Sequence, residues 1–240
     1  MKKSLLFLML LSLQICIAQT KPKAENYPLK AMDLVVFVFG MDYPITIGTI
    51  SDSGELNFKL PNNINSIPEV AIENSMSDAA FTLFPKCNNN YDILTETENI
   101  KAVNAGYISL SSKENLYSGL LFMVTDENLV PWLEESYSNN AVKASYFELV
   151  YVENDFNYQG ECTATVTNTE NDTIETIYNY NLQLNGGFNF IEYKIESVVE
   201  HEIPSMYEEN VFIKIAKPSK ITVTSSQSTP PDTKWIGKYF

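Results

Sequence analysis

Ile174, Thr176, Tyr178, Tyr180, Leu182 and Leu184 occupy one side of a period-two pattern, and Glu175, Asn179, Asn181 and Gln183 occupy the other. Successive side chains of an extended chain point to opposite faces, so this pattern buries its apolar side only as a β-strand with one wet face. The period recurs. Leu56, Phe58 and Leu60 alternate with Glu55, Asn57 and Lys59, and Ile191, Tyr193 and Ile195 alternate with Glu192, Lys194 and Glu196. Two runs are apolar on both faces, Leu34 to Phe39 and Tyr146 to Val152, the second interrupted only by Glu148. Such runs read as strands covered on both sides. Helical period is almost absent, which predicts an all-β chain built as an antiparallel β-sandwich. It is either one large sandwich or two packed units of immunoglobulin or transthyretin type.

Turn chemistry suggests the connections. Ser51-Asp52-Ser53-Gly54 predicts a hairpin between Ile45–Ile50 and the strand after it. Gln159-Gly160 would turn Tyr146–Val152 back onto Cys162–Val166, and Asn185-Gly186-Gly187 is a strong hairpin signal. Residues 61–99 are less regular, with a short helix opening at Ser66 and Pro68 and a weak strand over Ala80–Phe84. Lys101–Leu110 and Tyr117–Thr125 are further strands, and Val211–Ala216 and Ile221–Thr224 are two short ones. Ser225–Pro231 reads as a linker before Trp235 to Phe240, which docks the C-terminus. The expected organisation is a signal peptide over 1–18, a mobile leader over 19–30, and two β-sandwich units over 31–140 and 141–240.

The N-terminal expectation rests on Lys2 and Lys3, the apolar run Leu5–Leu13, and small residues at Cys16 and Ala18. These predict export with cleavage after Ala18, the apolar run being too short to span a membrane. Acylation of Cys16 is the alternative, although Ile15 stands where a lipoprotein signal has a small residue. The 240 residues carry 30 acids against 16 basic residues, all of them Lys, for a net charge of −14. Cleavage would leave fourteen Lys and a net −16. Without Arg or a basic field the chain is a poor partner for nucleic acid or an anionic membrane, and it attracts cations.

Cys87 and Cys162, 75 positions apart, would remain as candidates for one disulfide. Closing such a loop stabilises by about 4 kcal/mol in the chain-entropy model. Cys162 also alternates with Ala164 and Val166, so a buried free thiol is the competing reading.

The sequence Leu182-Gln183-Leu184-Asn185-Gly186-Gly187-Phe188-Asn189, with the Tyr-rich strands around it, resembles uncharacterised exported β-rich proteins and lipoproteins of Bacteroidota. There the turn reads Leu-x-Leu-x-x-Gly-Trp-Asn, and here Phe188 replaces the Trp. The resemblance covers roughly 145–200. It implies an exported or surface-associated protein and carries no catalytic residues. Asp172-Thr173-Ile174 matches the three-residue O-glycan acceptor of that group, while Asn171-Asp172-Thr173 is an N-glycan sequon only in a eukaryotic host.

Candidate chemistry is sparse. His201, the single histidine, lies between Glu200 and Glu202 with no Gly-x-Ser-x-Gly elbow to make a triad, so a solvated surface His is favoured. A glycosidase needs two facing carboxyl groups. Glu148 is the most suggestive acid, with Glu134, Glu135, Glu153 and Asp155 as potential partners. Asp155, Asn157 and Gln159 before Gly160 resemble the opening of a calcium loop, but Val166 stands where the closing Glu belongs. Trp132, Tyr137 and Tyr158 lie in loop-like segments and are the candidate ligand-binding aromatics, whereas Tyr178 and Tyr180 read as core. The expectation is a non-enzymatic exported binding or accessory module without a cofactor, its partner a glycan or a surface protein. A structural or adhesive surface subunit, and less so a carboxylate-based glycan hydrolase, are the alternatives.

Overall fold

The computed structural model describes residues 22–27, 29–61, 63–87, 93, 100–169, 172–205, 208 and 211–240. The signal-peptide reading, Cys16 and Asn171 lie outside the described residues. The strands are β1 (Ala24–Glu25), β2 (Met32–Val36), β3 (Ile45–Ile50), β4 (Leu56–Phe58), β5 (Ser77–Asp78), β6 (Lys101–Gly106) and β7 (Ile108–Ser111). They continue with β8 (Gly119–Val124), β9 (Ser145–Val152), β10 (Phe156–Thr169), β11 (Asp172–Leu184), β12 (Gly187–Pro204), β13 (Phe212–Ser226) and β14 (Lys234–Tyr239). Short helices interrupt them, among them α1 (Glu69–Ser75), α2 (Ala79–Leu83) and α3 (Val130–Glu134).

The protein is all-β. Its strands form one open sheet whose main path runs β10-β11-β13-β12-β9-β8-β7-β2-β3-β4. The sheet is mixed rather than purely antiparallel, because β11 pairs β13 and β1 pairs β14 in parallel. The path branches where one strand edge serves two partners. β9 pairs β12 along one edge and divides the other between β8 and β6. This folds the sheet into layers with β9 between them. Tyr146, Val150 and Val152 face one apolar core, while Phe147, Leu149 and Tyr151 face another. That is why this strand is apolar on both sides.

The two cores do not follow a divide at residue 140. The first gathers Ala79, Phe84, Val124 and Leu129 from the N-terminal half with Tyr178, Tyr180, Leu182 and Ile191 from the C-terminal half. The second joins Leu34, Ile47 and Leu110 to Phe188, Phe190 and Trp235. Nor is the leader loose throughout, since Ala24 is buried and pairs with Trp235.

Several local expectations change. The hairpin β3–β4 forms as expected, but Ala80–Phe84 is mostly the helix α2, with Ala79, Ala80 and Leu83 buried along it. Gln159-Gly160 is not a turn. Residues 153–155 connect the strands, and β10 pairs with β11, placing Cys162 opposite Tyr178. β9 has both edges filled by other strands, so no edge is left for β10. The two short strands expected over Val211–Ala216 and Ile221–Thr224 are one strand, β13, which starts at Phe212 and is carried past Pro218 by register shifts at Ser197 in the facing strand. A bulge there tolerates the missing proline donor.

Asn185-Gly186-Gly187 joins β11 to β12, yet those strands do not pair, because β13 lies between them. Asn189, fully buried, holds the opening. Its side chain donates to the carbonyls of Asn185 (2.7 Å) and Gly187 (3.0 Å) and accepts from the Asn185 N–H (3.0 Å) and Gln227 Nε2 (2.7 Å). Gly187, at φ 108°, occupies a backbone region that disfavours side-chain-bearing residues.

Candidate functional site

The first core is covered unevenly. α2 lays Phe84 over Tyr158 and Tyr180, with ring centroids 4.6 and 4.7 Å apart. The neighbouring part of the same sheet face, Tyr146, Glu148, Ile174, Thr176 and Tyr178, is left under a cavity of about 660 Å³. Three segments form its rim. Pro85 and Lys86 follow α2, Trp132 to Tyr137 span α3 and the turn after it, and Lys217-Pro218 belong to β13. Asn104 and Tyr107 close the side nearest β6.

The rim is fastened at two points. Cys87 and Cys162 are joined as a disulfide with their Cα atoms 5.5 Å apart, which holds Pro85 and Lys86 against β10. Lys217 Nζ donates to the carbonyls of Ser136 and Tyr137 (2.7 Å for the latter) and lies 5.6 Å from the centre of the Tyr137 ring. That binds the loop after α3 to β13 and places an ammonium in cation–π contact at the rim. Partial burial lowers the Lys217 pKa despite nearby Glu135.

Aromatic rings dominate the interior. Tyr146 and Tyr193 sit opposite each other on β9 and β12 and stack with centroids 4.8 Å apart, and Trp132 tilts over Tyr146 at 6.0 Å. Burial raises the pKa values of Tyr107, Tyr146 and Tyr193, with the Glu148 charge adding to each. Burial alone pushes Tyr178 to about 12. These phenols therefore stay protonated at neutral pH, as donors and acceptors rather than bases.

Glu148 is the one carboxylate among the described residues lining this space. It points from β9 into the cavity, which leaves it some accessible surface while the protein encloses it on most sides. Desolvation raises its pKa; a hydrogen bond from Asn104 Nδ2 (3.2 Å) and the more distant Lys86 charge oppose the rise. No ion pair joins Glu148 to Lys86 or to any other described residue. A carboxylate has room for about four hydrogen bonds, so most of its acceptor capacity faces the cavity unused. Trp132 Nε1, also buried, has no hydrogen-bond partner among the described residues.

The sequence-derived candidates divide. Trp132 and Tyr137 both line the cavity. Tyr158 does not. It is packed among Phe84, Phe156 and Tyr180. Tyr178 and Tyr180, read as core, are core and cavity lining at once. None of Glu148's suggested partners lines the space. Glu134 pairs with Lys238, Glu135 accepts from the Tyr137 N–H (3.1 Å), Asp155 accepts from the Gly186 N–H (2.8 Å), and Glu153 is exposed just beyond β9.

Asp155 is thus a turn cap. Asn157 and Gln159 are exposed along an extended strand, not the curved loop that converges oxygens on calcium. No group of three or more His, Cys, Asp or Glu among the described residues is placed to hold a metal ion. His201 pairs with Ile215 in the β12–β13 ribbon and is not among the residues lining the cavity, although Ile203, two positions further on, is. Glu192, expected on a wet face, is half-buried and accepts from the hydroxyls of Ser145 (2.6 Å) and Thr224 (3.4 Å).

Sequence reasoning missed Tyr107, Asn104 and Lys86, which carry no pattern of their own. The break at Glu148 and the aromatics Trp132 and Tyr137 in loop-like segments were the sequence signals of the site. No family model, curated protein or solved structure matches the chain. Among the described residues no helix is long and apolar enough to cross a membrane.

Proposed function

We propose that the protein is an exported binding or accessory module that holds a small, sugar-sized organic ligand in the cavity over Glu148. The observation that carries this reading is an aromatic-lined cavity containing one half-buried, under-bonded carboxylate. Pockets that are mostly apolar with a few convergent polar groups are the usual form of small-ligand sites. Stacking faces beside hydroxyl, amide and carboxylate groups suit a glycan fragment. A hydrolase reading would need a second carboxyl group facing Glu148, and none of Glu134, Glu135, Glu153 and Asp155 lines the cavity. Calorimetric titration of residues 19–240 with a panel of mono- and oligosaccharides tests the proposal. Saturable binding that Trp132→Ala weakens at least about tenfold supports it, that being the scale of one lost stacking contact. Glycan turnover abolished by Glu148→Gln would replace it with the hydrolase reading.

One observation favours a second reading. The outer edge of β10, fourteen residues long, has no strand partner among the described residues. A long free edge is a template for pairing with another chain, as in an adhesive surface subunit. Concentration-dependent association in sedimentation, abolished by a Lys or Pro placed on β10, would support that reading.

A further inference from the structure

Resting on the cavity reading above, we infer that the ligand carries an organic ammonium group, seated against Glu148 and the surrounding aromatic rings. Four observations converge. Glu148 is half-buried, is the one carboxylate lining the space among the described residues, and uses a single hydrogen bond, from Asn104. A charge partly withdrawn from water in this way gains from a counter-charge that reaches it. The walls supply what an ammonium uses besides a carboxylate. Tyr107, Tyr146, Tyr193 and Trp132 line the same space, and aromatic faces attract desolvated cations. The protein already places one ammonium this way at the rim, where Lys217 lies over Tyr137. Finally, the net charge of −14 concentrates cations around the molecule.

Lys86 does not fill the role itself. It is exposed at the mouth and makes no ion pair with Glu148, so the carboxylate remains open to a ligand. A primary ammonium would donate to Glu148 directly, and a quaternary ammonium would rely on charge and ring contact alone. Both belong to one class, and matched pairs separate them.

The test is calorimetric titration of the full exported chain with glucosamine against N-acetylglucosamine, and with choline against its uncharged carbon analogue 3,3-dimethylbutan-1-ol. The expected result is a preference of at least about tenfold for the charged member of one pair, that being the scale of a charge-assisted hydrogen bond or a buried cation–π contact. Preference in the first pair alone marks a primary ammonium; preference in the second marks a quaternary one. Glu148→Gln, which keeps the shape and the contact to Asn104, should erase the preference while circular dichroism stays unchanged. Should Glu148→Gln misfold, raising salt from 0.05 to 0.5 M must weaken the charged member alone. Equal binding of charged and neutral members overturns the ammonium inference and leaves the cavity reading standing. Absence of binding by all four probes and by the saccharide panel overturns both.

Discussion

At neutral pH the charge on Glu148 should lower the stability of the folded state. Burial raises its folded pKa above the ordinary 4.5, and Asn104 and Lys86 only partly offset that; the other groups facing it, Tyr107, Tyr146 and Tyr193, are uncharged. Between the unfolded and folded values the native state holds the proton more tightly. The carboxyl's contribution is therefore full below about pH 4.5 and is lost as pH rises through the raised folded value. Glu148→Gln should raise the melting temperature by a few degrees at pH 7–8, with the gain vanishing near about pH 4. Differential scanning calorimetry across that range checks it; a destabilised variant at pH 8 would contradict the argument. Phe84 is a simpler case. It is fully buried and meets Tyr158 and Tyr180 edge-on, so Phe84→Ala should cost about 3–5 kcal/mol in urea unfolding. At this scale the sequence exposed Glu148 as an anomaly. It could not show that Asn104 and Tyr107, more than forty residues earlier, would face it, because that contact arises only when β6 pairs with β9.

At the scale of elements, the strand faces were legible and the pairings were not. Period two marks which side of β11 is buried, but it carries no information about the neighbouring strand. Asn185-Gly186-Gly187 has hairpin chemistry, yet β13 enters between the two strands it joins. Asn189 makes that possible by satisfying the turn's backbone groups without a direct ladder. Asn189→Ala should remove the side-chain partner of part-buried backbone groups of Asn185 and Gly187, at about 0.5–1.5 kcal/mol for each bond lost. It should also speed amide exchange at 185–189, which hydrogen-exchange mass spectrometry reads. The disulfide acts on the site through the same logic. Reduction, or Cys87→Ser with Cys162→Ser, should cost about 4 kcal/mol by releasing a 75-residue loop. It should also weaken ligand binding, since Pro85 and Lys86 lose their tether to β10. Chemical denaturation with and without reductant measures the first effect, and titration of the reduced protein the second.

For the whole molecule, the central question is whether two cores mean two folding units. β9 gives one face to each core, β12 contributes Phe188 and Phe190 to one and Ile191 and Ile195 to the other, and β14 returns the C-terminus to β8. Neither core can form while the other is unfolded without exposing the far face of β9. Unfolding should therefore be a single cooperative transition. Trp132 reports on the first core and Trp235 on the second, so Trp132→Phe and Trp235→Phe leave one probe in each. Melting curves from the two variants should each coincide with the global transition seen by circular dichroism; a separate early transition at one tryptophan would mean independent units.

The sequence by itself determined the all-β class, the inward and outward faces of most strands, and the acidic, arginine-free surface. These follow from local periodicity and composition, which fix what each segment can bury. Tertiary structure alone decided the parallel insertion of β13, the sharing of β9 between two cores, and the cavity over Glu148. Those depend on which edges remain open once other strands have paired and on how far a short helix and a disulfide reach across a sheet face. Neither is written in any one segment.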